Sequence, residues 1–257
     1  MTAAGHLRTE RLTRAFGQLL AVNAVDLEVR PGELRSIIGP NGAGKSTFFK
    51  LISGELGPTA GRVVFDGEDI TGLPHFAVSR RGIAKSYQIT TIFRQLSVFE
   101  NVRIAVQCRR TVLDCWRRAD RLPGVADAAR AILALVELEA KAAEPAAAIG
   151  HGLQRHLELA IALACEPKLL LLDEPTAGMS PEETERTIRL IKRIAAGRTV
   201  VVVEHKMKVV MEISDRITVL HQGAILADGT PDDIRADARV RRVYLGTRAP
   251  TAPVAAR

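Results

Sequence analysis

The residues Gly39, Pro40, Asn41, Gly42, Ala43, Gly44, Lys45, Ser46 and Thr47 fit the spacing G-x-x-x-x-G-K-[ST], between the apolar run Leu34–Ile38 and a helix-forming segment at 46–52. A strand, a glycine loop and a helix in that order predict a phosphate-binding turn. Gly42 and Gly44 allow the backbone to aim its N–H groups at phosphate oxygens, where side chains would obstruct the approach. Lys45 supplies a mobile cation for terminal phosphates, Ser46 offers a hydroxyl to magnesium, and the helix N-terminus adds a favourable dipole. The alternative is a glycine-rich strand-to-helix turn that binds nothing, and the surrounding pattern argues against it.

With 257 residues, 47% of them hydrophobic, the chain can bury a large core as one domain with lobes. No segment reaches the roughly 18 to 20 consecutive apolar residues that cross a bilayer, and no secretory signal is visible in residues 1–6, so a cytoplasmic location is expected. Cys108, Cys115 and Cys165 make neither a Cys-x-x-Cys pair nor a disulfide framework. A net charge of +7 is compatible with nucleic acid, an anionic ligand or a membrane surface, and does not choose among them.

Residues 25–29 alternate apolar and polar side chains as in a half-buried strand, and residues 62–65 end in Asp66-Gly67, a hairpin signal. Antiparallel pairing is expected near the N-terminus. From about 98 to 164 the pattern turns helical, with a break at Pro123-Gly124. Apolar strands at 168–172, 199–203 and 217–220 then alternate with helices at 181–195 and 207–213, the pattern of parallel strands covered on both faces. The strand at 168–172 runs into Asp173-Glu174-Pro175, placing two carboxylates where ligands of such sheets bind. Asp173 suits magnesium, and Glu174 suits orienting or deprotonating the attacking water.

Taken together, the chain resembles the ATP-binding subunits of ABC transporters over roughly residues 7 to 246. Phe16 matches the family's adenine-stacking aromatic, Gln88 its Q-loop glutamine, and Gly150, His151, Gly152 and Leu153 its signature. Residues 177–180, ending in Ser180, match the D-loop, and His205 matches the switch histidine. The resemblance implies an α/β fold, a P-loop NTPase of ABC type with a mixed sheet core, an N-terminal antiparallel β lobe and an inserted helical lobe at about 90–165. It implies a single domain over 1–247, followed by a disordered tail at 248–257. Glu174, His205 and Gln88 are then the catalytic set. Ser46, Gln88 and Asp173 attend Mg2+, and the phosphate loop with Phe16, the signature and Ser180 binds ATP.

The signature departs from the usual Leu-Ser-Gly-Gly-Gln, because Gly150 stands where a serine is common and Leu153 replaces a polar residue. Further stretches, including 204–207 and 243–246, are similar to ATPase subunits of importers for branched-chain and other hydrophobic amino acids, amides and urea. Such a subunit works in a head-to-tail dimer with a second ABC ATPase beneath two membrane permease subunits, on the inner face of the cell membrane. A periplasmic or extracellular solute-binding protein delivers the solute, and no nucleic acid is expected. A lipopolysaccharide-type exporter ATPase, a soluble ABC protein acting on nucleic acid or ribosomes, and a non-hydrolysing regulatory subunit remain as alternatives.

Overall fold

The computed structural model describes residues 5–86, 92–110 and 123–245. Two sheets organise them. Strands β1 (Leu7–Phe16), β2 (Leu19–Val29), β4 (Ala60–Phe65) and β5 (Glu68–Asp69) form an antiparallel sheet in the order β2-β1-β4-β5. The expected hairpin closes it: Asp66 and Gly67 both take positive φ, 50° and 83°, as the tight turn between β4 and β5 demands.

The second sheet has the order β10-β9-β3-β8-β7-β6. In it β3 (Leu34–Ile38), β6 (Ile83–Ser86), β7 (Leu169–Asp173), β8 (Thr199–Val203) and β9 (Arg216–His221) run parallel, and β10 (Ala224–Gly229) closes one edge antiparallel to β9. The apolar runs of β7 and β8 owe their continuity to two cores. Side chains of Leu169, Leu171, Val201 and Val203 pack with the antiparallel lobe and with Phe48 and Phe49 of α1 (Lys45–Ile52). On the other face, Leu170, Leu172, Val200 and Val202 pack against helices α3 (Val98–Arg110), α4 (Val125–Leu135), α5 (His151–Ala164) and α6 (Pro181–Ala195). Alternation of the pleat sends successive residues to opposite cores, so Leu169–Leu172 and all of β8 are buried, and only Asp173 at the end of β7 reaches the surface.

Helix α6 keeps its expected bounds, and its start is chemically fixed: Ser180 accepts from the Glu183 N–H, Glu183 accepts from the Ser180 N–H, and Pro181 opens the first turn. The helical pattern that ends at 164 closes with α5, which begins at His151 with Gly150 as its N-cap. His151, Gly152 and Leu153 therefore lie in its first turn. The chain also forms elements that the sequence reading did not anticipate: β1, β6, β10, and the short helices α2 (His75–Arg80), α8 (Pro231–Ala236) and α9 (Ala238–Leu245). No described helix is long and apolar enough to cross a membrane. Residues 248–257 and Cys115 lie outside the described residues.

Candidate nucleotide site

Because β3, β7 and β8 are parallel neighbours, their C-terminal ends open at one edge of the sheet. The phosphate loop, Asp173-Glu174 and Glu204-His205 therefore meet there. Two loop glycines are fixed by space: a Cβ on Gly39 would collide with the Leu220 carbonyl oxygen, and one on Gly44 with the carbonyl oxygen of Ala21. Gly44 also holds φ at 99° and Gly42 at 79°, conformations that L side chains rarely adopt. Lys45 curls over this loop and donates to the carbonyl oxygens of Gly39 at 2.7 Å and Pro40 at 3.0 Å.

The loop forms the floor of a cleft of about 540 Å³, whose walls include Phe16, Leu19, Leu20, Glu174 and Gln222. Phe16 stays 47% exposed, and the Arg14 guanidinium lies 4.7 Å from its ring centroid. The cation holds the ring in place and leaves aromatic surface for a planar base. Leu19 and Leu20 were absent from the expected set, although two adjacent leucines straight after a glycine turn signal an apolar shelf. Gln222 belongs to the β9–β10 turn, which hydrogen-bonds back to the phosphate loop through Gly223 N–H and Ala43 C=O at 3.1 Å. Sequence separation hides that contact.

Glu174 sits one residue beyond β7 with φ of 47°, a left-handed conformation uncommon for a residue with a side chain. A backbone bond from its N–H to the Val203 carbonyl, 2.9 Å, fixes it to the end of β8. The turn aims its carboxylate at His205, whose Nδ1 lies 3.9 Å from Glu174 Oε2. Burial pushes the Asp173 carboxyl above the ordinary carboxylate range, although Lys85 pulls it down. Burial likewise lowers the Lys45 ammonium below the usual lysine value, with Glu174 and Asp173 acting in the opposite sense. The Asp173 carboxyl at the end of β7 and the Ser46 hydroxyl in the phosphate loop are hard oxygen donors, the chemistry that a magnesium ion takes. Gln88 lies outside the described residues.

The signature residues have different surroundings. Gly150, at φ −60° and ψ 159°, caps α5 without a side chain, and a Cβ there would meet nothing within 4 Å. Gly152 is buried, and a Cβ on it would sit 2.5 Å from Glu183 Oε1 in the α6 capping box. A side chain at Gly152 would therefore require the tip of Glu183 to move. His151 is exposed beside Gly178 of the D-loop, whereas Leu153 is half-buried. Gln154 ties this end to the chain before it, donating to the carbonyls of Ala146 and Ile149. Ser180 serves as the α6 cap described above.

Comparison with known proteins places this geometry. Residues 22–177 match the family described as ABC transporter. The chain belongs to the ABC transporter family. Residues 224–250 also match the family described as branched-chain amino acid ATP-binding cassette transporter. The high-affinity branched-chain amino acid transport ATP-binding protein BraF of Pseudomonas aeruginosa is 39% identical over 250 residues, covering 93% of this chain and 97% of that protein. Among solved structures, the ADP conformation of MJ1267, an ATP-binding cassette of an ABC transporter, has a TM-score of 0.84 at 29% identity, covering 94% of this chain and 99% of that one. A dimeric post-hydrolysis state of the cassette MJ0796 bound to ADP and Pi has a TM-score of 0.73 at 26% identity, over 88% of this chain and 98% of that one. This chain is an ABC-type, P-loop NTPase cassette with a mixed sheet, as the sequence led one to expect.

Proposed function

We propose that this chain hydrolyses Mg-ATP as the ATPase subunit of an importer for branched-chain or related amino acids, amides or urea. The observation that carries hydrolysis is the approach of Glu174 and His205, 3.9 Å apart, at the mouth of the phosphate-loop cleft. The likeness of residues 224–250 to the branched-chain cassettes, together with the BraF similarity, supports the substrate class.

In this reading Phe16 and the leucine shelf hold the base, and the N–H groups of the phosphate loop receive the phosphates. Lys45 exchanges its bonds to the Gly39 and Pro40 carbonyls for phosphate oxygens. Ser46 and Asp173 hold magnesium, which when bound neutralises charge on the phosphates. Glu174 takes a proton from the attacking water, and His205 donates to the terminal phosphate. Gln88 completes the catalytic and metal set. Gly150, His151, Gly152 and Leu153, with Ser180, approach the nucleotide of a second, identical or homologous ATPase in a head-to-tail dimer, as the dimeric MJ0796 cassette encourages.

The dimer then lies at the inner face of the cell membrane beneath two permease subunits, which a solute-binding protein supplies from outside. Their cytosolic helices dock near residues 88–101. Of the apolar residues there, Ile92 is buried while Phe93 and Leu96 are exposed, and buried Asn101 fixes the turn by bonding to Phe93 N–H at 2.7 Å and to the Phe93 and Ser97 carbonyls.

The test is Glu174→Gln in the complex with its co-purified membrane partners. ATP binding is retained, closed dimers accumulate, and hydrolysis falls by about 100-fold or more, the scale of a lost general base. Parental turnover in that variant would remove Glu174 from the mechanism. Uptake of leucine, isoleucine, valine, short amides and urea into vesicles holding the parental complex decides the solute.

A further inference from the structure

Glu204 precedes His205 and is fully buried, yet it takes no part in the chemistry described so far. Its two carboxyl oxygens are divided between two loops. Oε1 accepts from the Thr176 N–H at 3.1 Å and the Thr176 hydroxyl at 2.5 Å, in the loop that follows Glu174. Oε2 accepts from the N–H groups of His205 at 3.0 Å and Lys206 at 3.3 Å, in the loop that follows β8. Lys206 completes the link by donating its Nζ to the Thr176 carbonyl at 2.8 Å.

We propose that Glu204 is a positioning residue that clamps the loop bearing Glu174 to the loop bearing His205, with Thr176 as its partner. This inference rests on the ATPase reading above. A carboxyl group in a solvent-free setting that accepts four hydrogen bonds has little freedom to shift, so both loops move as one body. Glu174 is two residues before Thr176, and His205 is one residue after Glu204. Their separation is thereby a property of the clamp more than of their own side chains.

The same clamp reaches the D-loop. Thr176 accepts from the Met179 N–H at 3.4 Å, and Met179 Sδ accepts from the buried Thr187 hydroxyl of α6 at 3.2 Å. A displacement of residues 177–180 by a facing subunit therefore acts on Thr176, and through Glu204 on the backbone of His205. Partner contact thus becomes a change in the position of the switch histidine, with no side chain of the partner touching it.

The experiment compares steady-state hydrolysis by the complex for Glu204→Gln, Thr176→Val and Thr176→Ser, alone and in a His205→Ala background. Glutamine replaces one acceptor oxygen with a donor, and valine deletes the hydroxyl at nearly constant shape. Each lowers kcat by about tenfold or more, the effect of one misplaced hydrogen bond, and leaves the KM for ATP within about twofold. Thr176→Ser keeps the hydroxyl and recovers most of the loss seen with valine. In the His205→Ala background, Glu204→Gln costs nothing further, because the group through which it acts is gone.

Undiminished kcat in Glu204→Gln, equal losses in the serine and valine variants, or a full additional loss on top of His205→Ala would each overturn the clamp. If Glu204→Gln does not fold, the Thr176 pair in both backgrounds decides alone. A parental complex that hydrolyses nothing would instead overturn the ATPase reading.

Discussion

The two glycine-rich turns of this molecule stand at helix N-termini, but they answer to different constraints. In the phosphate loop, Gly44 combines a φ of 99° with a carbonyl oxygen where its Cβ would lie, so its own fold dictates the residue. In the signature turn, Gly150 has ordinary extended angles and open space around it, so nothing among the described residues requires glycine. Gly152, two residues on, is crowded from within, but only by the movable side-chain tip of Glu183. The phosphate loop is thus a rigid receptor built by its own backbone, whereas the first signature position is free to be chosen for what it faces outside the chain.

The sharpest way to break that contrast is one substitution at each site. Gly44→Ala must relieve a backbone collision and a strained φ, which costs about 1–3 kcal/mol and displaces the loop. Urea denaturation should show that loss, and ATP binding should disappear. Gly150→Ala changes stability by about 1 kcal/mol or less, since it puts a poor capping residue at an exposed N-cap. Equal costs at the two sites would erase the distinction.

A second test asks whether the receptor side trades stability for charge. Folding raises the Asp173 pKa through burial, so the protonated form is the one that the fold favours. The group is neutral in both states below its unfolded pKa; as pH rises from there through the raised folded value, the burial penalty appears, and it persists at neutral pH. Asp173→Asn removes that penalty. The variant should gain stability at neutral pH and unfold at a higher Tm, while magnesium-dependent hydrolysis is lost. A lowered Tm would mean that Lys85 and the strand end depend on the carboxylate after all.

What could be read in advance follows the same division. Continuous apolar strands and the Asp66-Gly67 turn are local, and each appeared where its residues placed it. The phosphate loop and Asp173-Glu174 were legible because their chemistry is confined to short runs. Strand β1 escaped because Arg8, Glu10 and Arg14 interrupt its apolar residues, and its pairing with β2 and β4 shifts register along its length. The Glu204–Thr176 link joins residues 28 positions apart, and Gly223 meets Ala43 across 180. No periodicity announces such contacts, since they follow from the order of strands in the sheet.

The smallest expected effect bears on the outward-facing side alone. Gly150→Ser introduces a hydroxyl at an N-cap whose angles already suit it, so the helix gains only a few tenths of a kcal/mol. Its consequence for the chemistry is larger than for the fold. In the proposed head-to-tail dimer, that hydroxyl would restore one charge-assisted donor to the phosphate of the opposite subunit, worth about 1.5–3 kcal/mol when fully realised. Turnover of the assembled complex should rise, up to about tenfold, with ATP affinity of the isolated chain unchanged, because the phosphate loop of the same chain is untouched. If affinity and turnover change together in the isolated chain, the first signature position answers to its own fold, and the comparison between the two turns fails at the point where it is most specific.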